Sequence, residues 1–123
     1  MKIIYAGVLL LWLAWGMEKK EALIIRNKSV DFGIVPEDTL LQARYVFLNT
    51  TDSVIAINYV NPECSCTGYR VSDYHIAPHD SIYVDLELNT KGKYGEQKIY
   101  TIVCAETETK MYKLTLKANV RQP

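Results

Sequence analysis

Ser81-Ile82-Tyr83-Val84-Asp85-Leu86-Glu87-Leu88 alternates polar and apolar side chains across all eight positions. Successive residues of a β-strand point to opposite faces, so Ile82, Val84, Leu86 and Leu88 fall on one face, with Tyr83, Asp85 and Glu87 on the other. A helix would turn residues two apart by about 200°, scattering the same apolar set around its axis. The stretch is a half-buried strand, and the rest of the chain is read from it.

The same period recurs on both sides. Between Thr39 and Asn49, Leu41, Ala43, Tyr45 and Phe47 share one face and Gln42 and Arg44 the other. In Lys110 to Val120, Tyr112, Leu114, Leu116, Ala118 and Val120 point inward, whereas Lys113, Thr115 and Lys117 point out. Val54 to Val60 is nearly continuous apolar sequence rich in branched and aromatic residues, the pattern of a central strand covered on both faces. Leu23 to Arg26 and Ser29 to Val35 read as a first strand broken near Asn27, with Gly33 as a candidate bulge. Tyr69 to Val71 is at most a short edge strand, and Glu96 to Ala105 is the penultimate strand, apolar on both faces. Turn signals separate these runs: Pro36-Glu37-Asp38, Thr50-Thr51-Asp52, Ile76 to Asp80, Asn89 to Gly95 and Glu106 to Thr109. No window holds a 3.6-residue period. The expectation is an all-β, antiparallel sandwich of about seven strands, with parallel pairing excluded because it calls for helical crossovers.

Composition narrows the class of function. The 123 residues carry 14 Lys plus Arg against 14 Asp plus Glu, a net charge of zero. That length suits one domain. Without a basic stripe there is no electrostatic footprint for phosphate, so no nucleic-acid partner is expected. A hydrophobic fraction of 49% separates the chain from disordered sequence.

The N-terminus gives an address. Lys2 precedes an apolar run from Ile3 to Gly16, followed by Met17-Glu18-Lys19-Lys20-Glu21. A helix of that length rises about 21 Å, short of the hydrocarbon core of roughly 30 Å, and reads as a secretory signal. Ala14 and Gly16 are small residues placed for a cut before Met17, and the alternative is an uncleaved anchor touching the membrane only through residues 3–16. The expected organisation is therefore residues 1–16 as signal peptide or anchor, 17–22 as charged linker and 23–123 as the β-domain, exported to the periplasm or held facing it.

Cys64-Ser65-Cys66-Thr67 is the most distinctive local feature. Cysteines at i and i+2 point to the same side of an extended backbone, where two thiolates, with His75 and His79 as further ligands, would suit Cu or Zn. The competing expectation is structural: plain thiols or a disulfide. Cys104, the third cysteine, either bridges to Cys64 or Cys66, provided the Cα atoms come within about 7 Å, or stays a buried free thiol. His75 and His79 also read as turn residues, since Pro78 between them forbids a regular helix. Cys66 with His75 is the loosest form of a nucleophile and base, and no orienting acid accompanies it, so no catalytic residues are expected. Asp31-Phe32-Gly33 matches a kinase tripeptide by letters but stands without its companion motifs. Of nine tyrosines, Tyr45 and Tyr112 belong in the core. Tyr69, Tyr74, Tyr83 and Tyr94 fall in loops or on outward positions, where they serve recognition or cross-strand pairing. Asn27-Lys28-Ser29 and Asn49-Thr50-Thr51 match the N-glycosylation acceptor pattern.

The order of Asp31-Phe32-Gly33, Phe47-Leu48-Asn49-Thr50, Cys64-Ser65-Cys66-Thr67, Ile76-Ala77-Pro78 and Gly95 resembles the bacterial domain of unknown function 1573, over about residues 29 to 120. The resemblance implies one immunoglobulin-like sandwich, similar to the hydin and major-sperm-protein group and usually exported, with no catalytic residues to carry over. Two positions depart from the family pattern: Ser65 and His79 stand where glycine is usual. Serine at 65 argues against a positive φ there. Together these readings lead to an exported, non-enzymatic binding module of the cell envelope without a cofactor. It would recognise a protein partner through an edge strand, or through the end bearing residues 62–70 and 89–95 with Tyr69 and Tyr94. The alternative is a metal-binding or thiol-redox protein centred on Cys64-Ser65-Cys66.

Overall fold

The structure is a computed structural model that describes residues 21–122. The expected signal or anchor at 1–16, and linker residues 17–20, lie outside the described residues. Nine strands are formed: β1 (Leu23–Arg26), β2 (Ser29–Val35), β3 (Leu40–Asn49), β4 (Ile55–Pro62), β5 (Thr67–Val71), β6 (His75–Ile76), β7 (Ser81–Asn89), β8 (Gly95–Ala105) and β9 (Met111–Val120). They make two sheets, ordered β1-β3-β7-β5 and β2-β9-β8-β4-β6. The described residues contain no helix.

Several expectations are corrected, the strand number first: about seven were expected and nine form among the described residues, because the first strand is divided and His75–Ile76, where a turn was expected from Ile76, adds β6. The broken first strand is two strands in different sheets: β1 pairs with β3, and β2 pairs with β9. Asn27, at φ 57°, turns the chain between the layers. The β2–β9 pair is parallel, so the sandwich is not wholly antiparallel. A parallel pair needs a long connection rather than a helix, and here everything from β3 to β8 lies between the two strands. Finally, β4 is not covered on both faces. Its inward residues Ile55, Ile57 and Val60 are buried, whereas Tyr59 and, just before the strand, Val54 are 45% and 59% exposed.

Elsewhere the alternation holds. Ile82, Val84, Leu86 and Leu88 of β7 pack against Leu41, Ala43, Tyr45 and Phe47 of β3 and the inward residues of β9, all buried. Thr115, expected to face out, is covered too, flanked by β2 and β8. Gly33 is the expected bulge: the register shifts between Asp31 and Ile34, φ is 68°, and its N–H donates to the Asp31 carboxylate at 2.8 Å. His79 occupies the left-handed region at φ 58°, whereas Ser65 does not.

Each end of the sandwich is closed by a buried polar side chain. The Asn49 amide is fully enclosed; Nδ2 donates to the carbonyls of Ser53, Ile76 and Ala77 at 2.7, 2.9 and 3.2 Å, and Oδ1 accepts from Thr51 N and Oγ1 at 2.9 and 2.7 Å. At the other end Thr90 Oγ1 accepts the Thr39 N–H at 2.8 Å and donates toward the carbonyls of Pro36 and Thr39, both at 3.1 Å.

The sheets are also tied through the core, where Tyr45 Oη donates to the Thr115 carbonyl at 2.6 Å. Burial pushes this phenol up to about 12. An unfolded tyrosine titrates near 10, so the contribution is complete below pH 10 and is lost as pH rises through about 12. Urea midpoints measured from pH 9 to 12 should fall more steeply for the native chain than for Tyr45→Phe, whose curve lacks this ionisation.

Candidate docking edge and disulfide loop

The turn between β4 and β5 is fixed at both ends by the backbone. Glu63 N–H donates to the Tyr100 carbonyl at 2.9 Å, and Thr67 N–H closes the turn onto the Cys64 carbonyl at 3.1 Å. Within it Cys64 and Cys66 form a disulfide, with Cα atoms 5.1 Å apart. The Cys66 N–H points at Cys64 Sγ at 3.2 Å, and Thr67 Oγ1 lies 3.8 Å from Cys66 Sγ. Both cysteines are half-buried against the core, while Ser65 is exposed. A bridge across two residues removes little entropy from the unfolded chain: about 1.6 kcal/mol, against about 3 for a 15-residue loop.

Cys104 is a free, half-buried cysteine. The bridge to Cys64 or Cys66 weighed from the sequence is therefore not the one formed. Glu63 bonds to Tyr100, and Cys104 lies four residues farther along β8, a run of about 14 Å where a disulfide allows about 7. Its neighbours are instead on β4. Asn58 Nδ2 approaches Sγ at 3.9 Å, and the Tyr59 phenol is shifted upward mainly by its hydrogen bond to Cys104.

The four residues considered as metal ligands are not brought together. Cys64 and Cys66 are bonded to each other. His75 pairs with Ala56 in β6, and His79 Nε2 meets Asp52 Oδ1 at 2.6 Å. His79 precedes Ser81 at the start of β7, whereas Thr67 sits opposite Leu88 near its end, so the length of β7, about 24 Å, separates them. Among the described residues no group of three or more His, Cys, Asp or Glu side chains is placed to hold a metal ion. Cys66 and His75, weighed as nucleophile and base, are likewise a bridged sulfur and an exposed strand residue.

The two loops expected to share one end of the sandwich do lie side by side. Thr67 opposite Leu88 places the cysteine turn beside the 90–94 loop, and Tyr69 and Tyr94 are 49% and 46% exposed. β5 is the outermost strand of its sheet. The Ser72 N–H donates to Tyr83, which sets Gly68, Arg70 and Ser72 toward β7. By the alternation of the antiparallel ladder, the N–H and C=O groups of Tyr69 and Val71 face away from it. Beside them a shallow depression of about 600 Å³ lies over Gly68, rimmed by Gln42, Arg44, Arg70, Asp85 and Glu87. Arg44 holds Asp85 through two bonds of 2.8 and 3.0 Å and stacks 3.7 Å from the Tyr83 ring centre, fixing one wall.

Over residues 23–120 the sequence matches the family described as Protein of unknown function (DUF1573). The chain belongs to this family. Solved structures share the fold. A protein of unknown function from Porphyromonas gingivalis W83 is 10% identical, with a TM-score of 0.70 over 80% of this chain. The present chain spans only 46% of that protein. The ASH/PapD-like domain 7 of human CEP192 is 12% identical, with a TM-score of 0.62 over 87% of this chain and 92% of its own. WR4, a C. elegans MSP family member, is 14% identical, with a TM-score of 0.51 over 82% and 99%. Curated proteins give no match. At these identities the likeness is one of fold alone, and it bears out the immunoglobulin-like, major-sperm-protein-like sandwich expected of a DUF1573 chain. His79, where the resemblance led to an expectation of glycine, stands at a positive φ that glycine adopts without steric cost.

Proposed function

We propose that this chain is an exported, non-enzymatic interaction module of the cell envelope that captures a protein partner by adding a strand to β5. The observation that carries the reading is the contrast between β5 and the other edges. β2 is kinked by the Gly33 bulge. β4 has β6 over its first two residues, a bulge between Ile57 and Tyr59, and Pro62, which has no N–H to offer. β1 is four residues long. These are the features by which natural sheets blunt their edges. β5 carries neither proline nor bulge, and its outward backbone groups lie beside the exposed Tyr69 ring and the depression over Gly68. An extended peptide would gain main-chain hydrogen bonds there and place alternate side chains in the depression. Export rests on the apolar run Ile3 to Gly16, and the reading invokes neither cofactor nor catalytic group.

Tyr69→Pro tests it. The Tyr69 N–H faces away from β7, so proline removes a docking donor and leaves the ladder to β7 whole. Immobilised native chain and variant are exposed to native envelope extract, and the protein recovered is identified and titrated back. The variant should bind it at least about tenfold more weakly, the loss of one or two hydrogen bonds, with an unchanged urea midpoint. The partner should slow hydrogen exchange at Tyr69 and Val71. Equal binding by the variant would place the partner elsewhere.

A further inference from the structure

We propose that the Cys64–Cys66 disulfide is a redox centre that oxidises a protein dithiol by thiol–disulfide exchange, an activity that stands independently of docking at β5. The bridge is poorly suited to be a staple. It spans a sequence separation of two, in a turn already held by Glu63 on Tyr100 and by Thr67 on Cys64. Opening it leaves those backbone bonds intact. The two sulfurs then stay on Cα atoms 5.1 Å apart, within the spacing of about 4.4–6.8 Å that lets a disulfide re-form. The turn lies at the end of the sandwich with Ser65 exposed and Cys64 and Cys66 only half-buried, so an incoming thiolate approaches the bridge from its open side without the sheets parting.

The geometry assigns the two sulfurs different roles. The Cys66 N–H lies 3.2 Å from Cys64 Sγ, and a hydrogen bond to a thiolate stabilises its charged form. Cys64 is therefore the better leaving group and Cys66 the sulfur attacked. The partner's first thiolate bonds to Cys66 Sγ as the S–S bond breaks, and the electron pair leaves with Cys64 as thiolate. The partner's second thiol, deprotonated, then attacks its own sulfur in the mixed disulfide and releases Cys66 as thiolate. The partner loses two electrons and becomes a disulfide, and the two protons it gives up are taken by Cys64 and Cys66. Cys104, four residues along β8 from the strand position that anchors the turn, takes no part.

The test uses the full chain with a synthetic dithiol peptide as reductant and, as reference, a linear peptide bearing a Cys-Ser-Cys disulfide. Thiols are alkylated at timed intervals and counted by intact mass, with circular dichroism beside them. Exchange with the folded chain should be at least about tenfold faster than with the linear disulfide, should reverse on adding oxidised glutathione, and should leave the β-sheet spectrum and the cooperative unfolding transition in place. In single variants, the Cys64 thiol of Cys66→Ser should be alkylated at lower pH than the Cys66 thiol of Cys64→Ser. A bridge that resists the dithiol until the protein is denatured, exchange no faster than in the linear peptide, or unfolding on reduction would each overturn the proposal. So would a Cys66 thiol titrating below that of Cys64.

Discussion

Replacing Asn49 with alanine is expected to lower the unfolding free energy by about 3 kcal/mol, and replacing it with aspartate by more at neutral pH. One amide, wholly enclosed, joins the turn after β3 to the turn before β7: it donates to Ser53, Ile76 and Ala77 and accepts from Thr51. Alanine orphans these carbonyls and the Thr51 donors together. The effect stays well below the sum of five separate bonds, because the turns are near the surface and some groups turn to water. Aspartate keeps the acceptor but sets a second carboxylate oxygen against three carbonyl oxygens, acceptor facing acceptor, at a side-chain position that is fully buried. Such a carboxyl folds more readily protonated, so its folded pKa lies above the unfolded value. The Asn49→Asp variant should therefore be more stable at pH 4 than at pH 7, regaining stability as pH falls. Urea unfolding at both pH values, read as the difference from Asn49→Ala, which carries no titrating group at this position, measures this. A loss below about 1 kcal/mol for alanine, the size of an ordinary surface change, would mean the clasp is dispensable. In the folded chain the Asn49 amide of Asn49-Thr50-Thr51 is enclosed and leaves no room for a glycan.

What the sequence discloses and what it hides divide along a physical line. Period-two alternation reports which face a side chain takes, and so the faces of β3, β7 and β9 are legible residue by residue. It carries no record of which strand lies alongside. Across Asn27 the inward positions pass from Leu23 and Ile25 to Val30 and Phe32. That shift of phase marks a break in the strand but not the exchange of one sheet for the other, and the parallel β2–β9 pair leaves no mark in the local pattern. The overestimate at β4 has a related origin: Val54 and Tyr59 are apolar whether covered or not. At the cysteine turn the sequence marks the chemistry but not the partner, because Cys104 is excluded only by distance along β8. Asn49 and Thr90 were within reach. The inward series Leu41, Ala43, Tyr45, Phe47 continues by the same step of two to Asn49, and Ile82, Val84, Leu86, Leu88 continues to Thr90. A small polar residue that prolongs an inward series past the last apolar member marks where a strand's buried face meets the turn it must fasten.

Phe47→Ala should cost about 3–5 kcal/mol, toward the upper end, whereas Leu48→Ala beside it should cost under about 1. The pair differ by one step along β3 and so by a face. Phe47 is 0% and Leu48 38% exposed. The Phe47 ring meets Tyr112 of the opposite sheet edge-on, with centroids 6.5 Å apart and planes at 76°, so alanine removes both the buried ring and an aromatic contact spanning the two layers. The resulting cavity closes poorly. Two residues away on the same strand Tyr45 is fastened to the Thr115 carbonyl, and Tyr112 is itself held by Thr107 at 2.7 Å, so the sheets cannot settle together to fill the space. A domain of this size has about 5–15 kcal/mol in hand, so the variant stands close to unfolding at 37 °C while Leu48→Ala remains folded. Urea denaturation of the two variants under one set of conditions decides the point. Equal losses would mean that β3 sits one residue out of the register with β7 that pairs Phe47 with Ile82, since a one-residue slip exchanges the faces of every side chain on the strand.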